Sequence, residues 1–127
     1  MRENEVSKVV VDIALQVHKA LGPGLYEAVY QTVMPYALRK RGLQVETHVP
    51  IILEWDGMPM ELGFRADLIV ESCLIAQLKA IEKVAPFHKK QLLTYLRIAD
   101  RRLGLLINFN TELIRDGISR IVNNLPE

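Results

Sequence analysis

Residues 103–109 read LGLLINF, an apolar run interrupted only by Gly104 and Asn108. A strand with one wet face alternates apolar and polar residues. This run does not alternate, which marks a strand buried on both faces. Such a strand needs cover on each side of its sheet, and the rest of the chain offers helices to provide it. Val6, Val10, Ile13, Val17 and Leu21 recur at the spacing of one helix face, and GPG at 22–24 stops that helix. A second helical pattern runs from about Tyr26 to Arg41 and ends at Gly42. Pro35 lies inside it, lacks a backbone N–H and crowds the preceding turn, so a kink or break is predicted near Met34. Behind Pro86, a third helix is predicted from about Phe87 to Asp100.

Between the second and third helices the pattern changes. LQVETHVPIILEW (43–55) is rich in β-branched residues and reads as a strand, and DGMP (56–59) as a turn. MELGFRADLIV (60–70) reads as a second strand, with Arg65, Asp67 and Ile69 on one side and Phe64, Ala66 and Leu68 on the other. ESC (71–73) turns the chain, and LIAQLKA (74–80) is a third strand whose Ile75, Gln77 and Lys79 share a face. Three strands joined by short turns make an antiparallel meander. The last helix then crosses over and returns the 103–109 strand parallel to a neighbour. In the tail, Leu113, Ile114, Ile118, Ile121 and Val122 suit either a short helix or an added strand. The fold class is α/β, a central mixed β-sheet flanked by helices. At 127 residues, one domain over 1–127 with a real core is expected.

Composition narrows the function. The net charge of +1 does not mark a nucleic-acid binder, so any such surface must be a local patch. Cys73 is the only cysteine, which excludes an intrachain disulfide and a zinc cluster. The polar start MRENEVSKVV has no signal-peptide core, and no apolar run reaches membrane length. A cytoplasmic setting and no membrane partner are expected. Trp55 and Cys73 read as packing residues.

Asp67 lies ten positions before Gln77, and Lys79 two after it. A hairpin between their strands brings the three together. Mg²⁺ binds through one or two carboxylates plus waters, and phosphodiester hydrolysis needs such a cation to activate water and neutralise charge. A neighbouring lysine can orient the water or steady the phosphate. Taken alone, Asp67 and Lys79 also fit an exposed cross-strand ion pair.

An ordered set of motifs decides between these. GLYEAVY (24–30) fits a GxxExxY signature as Gly24, Glu27 and Tyr30, and FRADLIV, AQLKA, HKKQLLTYL and GLLINFN follow in order. Over roughly residues 5–122 the chain resembles the GxxExxY family, a small-domain branch of the PD-(D/E)xK nuclease-like superfamily. The resemblance implies a restriction-endonuclease-like core and Mg²⁺- or Mn²⁺-dependent cleavage of DNA or RNA. By the same resemblance, Asp67 matches the first metal-binding acid, Gln77 the position of the second, Lys79 the motif lysine and Glu27 the early-helix glutamate. The carbonyl of Leu78 would be a further ligand. Gln91 and Tyr95 match a Q-x-x-x-Y element beside the substrate phosphate, and His88, one turn before Gln91, shares that face.

The departure is Gln77. An amide keeps the size and one oxygen of glutamate but loses its charge and cannot act as a base. Three explanations stand: a degenerate domain, an acid migrated to Glu71 or Glu82, or an inactivating substitution. His88, Lys89 and Lys90 could hold phosphate at a helix N-terminus or form a solvated helix end. Tyr30 reads as a packing residue that orients Glu27. The sequence therefore points to a nuclease-like domain impaired at residue 77, the alternative being a non-catalytic module that binds nucleic acid or protein. With few aromatics and no base-reading element, it would need a homodimer or a protein partner to hold DNA.

Overall fold

The computed structural model describes residues 2–126. Among these the elements run α1 Glu3–Leu21, α2 Glu27–Lys40, β1 Val45–Pro50, β2 Leu53–Trp55, β3 Met58–Met60, β4 Arg65–Val70, β5 Leu74–Lys79, α3 Pro86–Ala99, β6 Leu103–Asn108, a 3₁₀ turn Ile114–Gly117 and β7 Ile118–Val122. Five strands form one sheet in the order β1-β4-β5-β6-β7, parallel only between β5 and β6. This is the α/β architecture expected of a restriction-endonuclease-like core. The ambiguous tail supplies both predicted alternatives, a helical turn and then an added edge strand.

Two cores hold the sheet between them. On one face Val6, Val10, Ile13 and Val17 of α1 and Tyr30, Met34 and Leu38 of α2 pack on Leu68, Leu74, Ala76, Leu78, Leu103, Leu105 and Ile107. On the other, Leu92, Tyr95 and Leu96 of α3 pack on Ile69, Ile75 and Leu106. Residues 103–109 are all buried, as their pattern requires. Gly104 interrupts the run where α3 comes closest: a Cβ there would lie 3.0 Å from the side chain of Leu92.

Several expectations need correction. The two long strands are each broken. β1 stops at Pro50 and β4 starts only at Arg65, and the segments beyond them form a separate two-stranded ribbon, β2–β3, around the predicted Asp56–Gly57 turn. One further backbone bond follows the ladder, from the Ile51 N–H to the Phe64 carbonyl at 2.8 Å, and Ile51 itself is buried in the α3-side core; past it the chain leaves the sheet. Trp55 sits on that ribbon and is 72% exposed, so it is not a packing residue. α2 runs through Pro35 without a break. Tyr30, Met34 and Leu38, at successive turns, are all fully buried, and their packing outweighs the lost hydrogen bond. Ala66 joins Ile69 and Tyr95 in the α3-side core instead of siding with Leu68. On α3, Leu92 and Leu96 are buried, and Leu93 between them in sequence is only half-buried. Among the described residues no helix is long and apolar enough to cross a membrane.

Candidate active site

The site begins where β4 and β5 part. Their ladder pairs Val70 with Leu74, Ile69 with Ile75 and Leu68 with Ala76. Beyond Leu68, side chains take over the pairing. Gln77, 6% exposed, accepts the Asp67 N–H through Oε1 at 2.6 Å and donates from Nε2 to the Arg65 carbonyl at 3.3 Å. Asp67 returns the favour by accepting the Leu78 N–H through Oδ2 at 2.8 Å. Asp67 and Gln77 thus meet across the hairpin, as their spacing implied. The amide of Gln77, however, is committed at both ends to the backbone of β4.

β5 itself is rigid. It pairs with β6 from Leu74 to Lys79, and the Phe109 N–H donates to the Lys79 carbonyl at 2.8 Å. Buried Asn108 clamps the next turn of chain: its Nδ2 donates to the Ile81 carbonyl and its Oδ1 accepts the Ile81 N–H. Lys79 is therefore presented from a fixed backbone.

α2 delivers the second carboxylate. Glu27 is its first residue, where the helix dipole favours a negative charge. Tyr30, one turn on, donates from its hydroxyl to the Gly22 carbonyl at 2.6 Å and stacks on Phe109 with centroids 4.3 Å apart. It is a packing residue, as read from the sequence. Gln31 connects the two acids: its Nε2 donates to Glu27 Oε2 at 3.2 Å and to Asp67 Oδ1 at 3.4 Å.

Burial pushes the Asp67 carboxyl above its ordinary range. The Leu78 N–H, the charges of Lys79 and His48 and the Gln31 amide pull it back without cancelling that rise. Lys79 acts through space, because among the described residues the one ion pair within 4 Å joins Arg41 to Asp12. The Tyr95 hydroxyl is pushed up by burial and then by the charge of Asp67, which puts α3 within electrostatic reach of the site.

The residues that the resemblance places on the substrate side are less gathered. Tyr95 and Gln91 line a pocket of about 280 Å³ with Leu53, Phe64, Phe87 and Ile98. His88 stands apart at the start of α3, where its Nδ1 accepts the Ala85 N–H at 2.9 Å and caps the helix. Neither proposed refuge for a migrated acid joins the group. Glu71 lies in the turn at the other end of β4, holding the Gln44 N–H, and Glu82 is exposed beyond β5. Among the described residues no cluster of three His, Cys, Asp or Glu side chains could hold a metal.

Two residues escaped the sequence reading. Gln31 carried a signal, since it lies one turn after Glu27 on the same helix face. His48 carried none. It lies across from Asp67 between the pairs Thr47–Leu68 and Val49–Ala66, with φ of 51° inside a strand. That conformation is rare for a residue with a side chain, and pattern does not reveal it.

Two carboxylates facing one atom, with the Gln77 amide oxygen on the Asp67 N–H, are hard oxygen donors of the kind Mg²⁺ or Mn²⁺ takes together with water. No curated protein and no solved structure matches the chain. The family model of the PD-(D/E)XK nuclease superfamily does match it, over residues 4–121. With the split strands, the convergent acids and the adjacent lysine already in view, that match assigns the fold its kin: the chain belongs to the PD-(D/E)XK nuclease superfamily.

Proposed function

We propose that the chain is a nuclease-like hydrolase of the GxxExxY branch, acting on phosphodiester bonds of DNA or RNA with Mg²⁺ or Mn²⁺, its turnover lowered by Gln77. The observation that carries this reading is the convergence of Glu27 and Asp67 on a single atom, 3.2 and 3.4 Å from their oxygens, beside Lys79. When bound, the cation would activate water and offset charge at phosphorus. Glu27 and Asp67 would hold it, with the Leu78 carbonyl and the free lone pair of Gln77 Oε1 as weaker donors. Lys79 would steady the scissile phosphate. Tyr95 and Gln91 would line the path of the substrate, and His88 would offer it only Nε2. In this reading the protein works in a reducing, cytoplasmic setting, and a second copy or a protein partner completes the surface that holds nucleic acid.

A second reading, a non-catalytic module binding nucleic acid or protein, is favoured by one observation: the Gln77 amide already serves as a tie between strands. One experiment separates the two. The chain, Asp67→Ala, Lys79→Ala and Gln77→Glu are incubated with DNA and with RNA in Mn²⁺, Mg²⁺ or chelator. The nuclease reading expects slow, cation-dependent cleavage by the parent, loss of it in Asp67→Ala and Lys79→Ala, and a gain in Gln77→Glu. No cleavage in any variant leaves the module reading, and cleavage that survives Asp67→Ala removes the site described here.

A further inference from the structure

Gln31 occupies an unusual place. Its link to Glu27 alone would be an ordinary pairing one turn along a helix surface. The second bond, across to Asp67 on the sheet, is what sets it apart, because it puts the amide nitrogen at the point both acids face. The orientation of the amide follows from its neighbours. Both are acceptors, so the NH₂ end must point at them. At 3.2 and 3.4 Å both bonds are long, and the last torsion of a glutamine is broad and roughly two-fold. Turning it by half exchanges Nε2 for Oε1 at the same point and costs only two weak bonds.

We propose that Gln31 is the third cation ligand of this chain, with its NH₂ group standing in for the cation between Glu27 and Asp67 and its Oε1 turning in when the cation arrives. The inference deepens the proposed function and rests on it. Gln77, at the position where a second acid is expected, has both ends of its amide on β4. Gln31, half-buried and on a helix rather than in the strand split, has no such commitment. The ligand set becomes Glu27, Asp67 and the Gln31 amide oxygen, two charged and one neutral, completed by water. Without a cation, the same amide hydrogen-bonds both carboxylates and stands between them.

The test is Mn²⁺ affinity by titration calorimetry for the parent, Gln31→Met, Gln31→Glu and Asp67→Asn, with circular dichroism confirming the fold of each. Methionine keeps the length of glutamine but offers a hard cation no oxygen. The expected result is affinity weakened about tenfold in Gln31→Met, which is about 1.4 kcal/mol, and strengthened at least as much in Gln31→Glu. In chelator, Gln31→Glu should melt below the parent, because a third carboxylate crowds the empty site. A glutamine that only decorates the helix would move none of these readings. Should Gln31→Met not fold, the Gln31→Glu affinity decides alone. Unchanged affinity in the Gln31 variants, with loss in Asp67→Asn, overturns this inference and spares the proposed function. Unchanged affinity in Asp67→Asn, or no Mn²⁺ binding by the parent, overturns both.

Discussion

The hairpin of β4 and β5 has two ends built on different principles. At the closed end, Val70 and Leu74 are ladder-paired and buried, and Glu71 and Ser72 both take positive φ in the turn between them. There the backbone pairs with itself and the side chains only pack. At the open end the same strands separate, and Gln77 and Asp67 supply from side chains the bonds the ladder no longer makes. A buried backbone group must be paired by something. When strands part to admit a site, polar side chains of the right length have to do it, and they then stand where chemistry is wanted.

The contrast can be broken at either end. The largest effect is expected at the closed end: Ile75→Ala, fully buried against α3, should cost about 2–5 kcal/mol by urea unfolding, with Mn²⁺ affinity unchanged. A comparable fall in affinity would mean that the ends are not independent. Next comes Gln77→Leu, which strips the open end of both amide bonds and should cost about 2 kcal/mol, the penalty of leaving buried backbone groups unpaired. A variant as stable as the parent would show the strands to be held by something else. Gln77→Glu should lose about 1 kcal/mol in chelator, since a carboxylate has no hydrogen to give the Arg65 carbonyl and adds charge beside Asp67. Excess Mn²⁺ should restore or exceed that loss in melting temperature, and a melting curve blind to Mn²⁺ would remove residue 77 from the metal site.

The smallest effect is the pH dependence of the metal-free chain. Burial raises the Asp67 carboxyl in the folded state above its ordinary value. Between those two values the folded chain keeps a proton that the unfolded chain has released. Stability should therefore fall as pH rises through that window, and ionised Asp67 should cost stability at neutral pH. Urea midpoints at stepped pH should show this slope in the parent and lose it in Asp67→Asn.

The closed end was legible and the open end only partly so. Alternation in LIAQLKA and the turn residues of ESC define a hairpin without further help, and its closure carries Asp67 to Gln77. The continuous apolar run of β6 required two layers of cover, and both are present. What pattern could not show is where a sheet stops. Residues 43–55 are as β-branched beyond Pro50 as before it, yet Ile51 turns into the core and the ribbon leaves with Trp55 exposed. Nor does periodicity report distance between elements. That Glu27 would approach Asp67 came from resemblance alone. Gln31, on the same stripe as Glu27, was passed over because an uncharged amide on a helix surface has no pattern of its own.

The stack of Tyr30 on Phe109 has a further consequence. The ring of Phe109 locates α2, the helix of Glu27, while its backbone N–H locates Lys79. Two groups more than fifty positions apart in sequence are thus both measured from one benchmark. If Phe109 shifts, both shift with it, and their errors are correlated. The gap between the backbones that carry Glu27 and Lys79 then varies less than either backbone's own position. Tolerance is set by the separation that matters rather than by the rigidity of each part, and a small protein can hold a spacing it could not hold by stiffness alone.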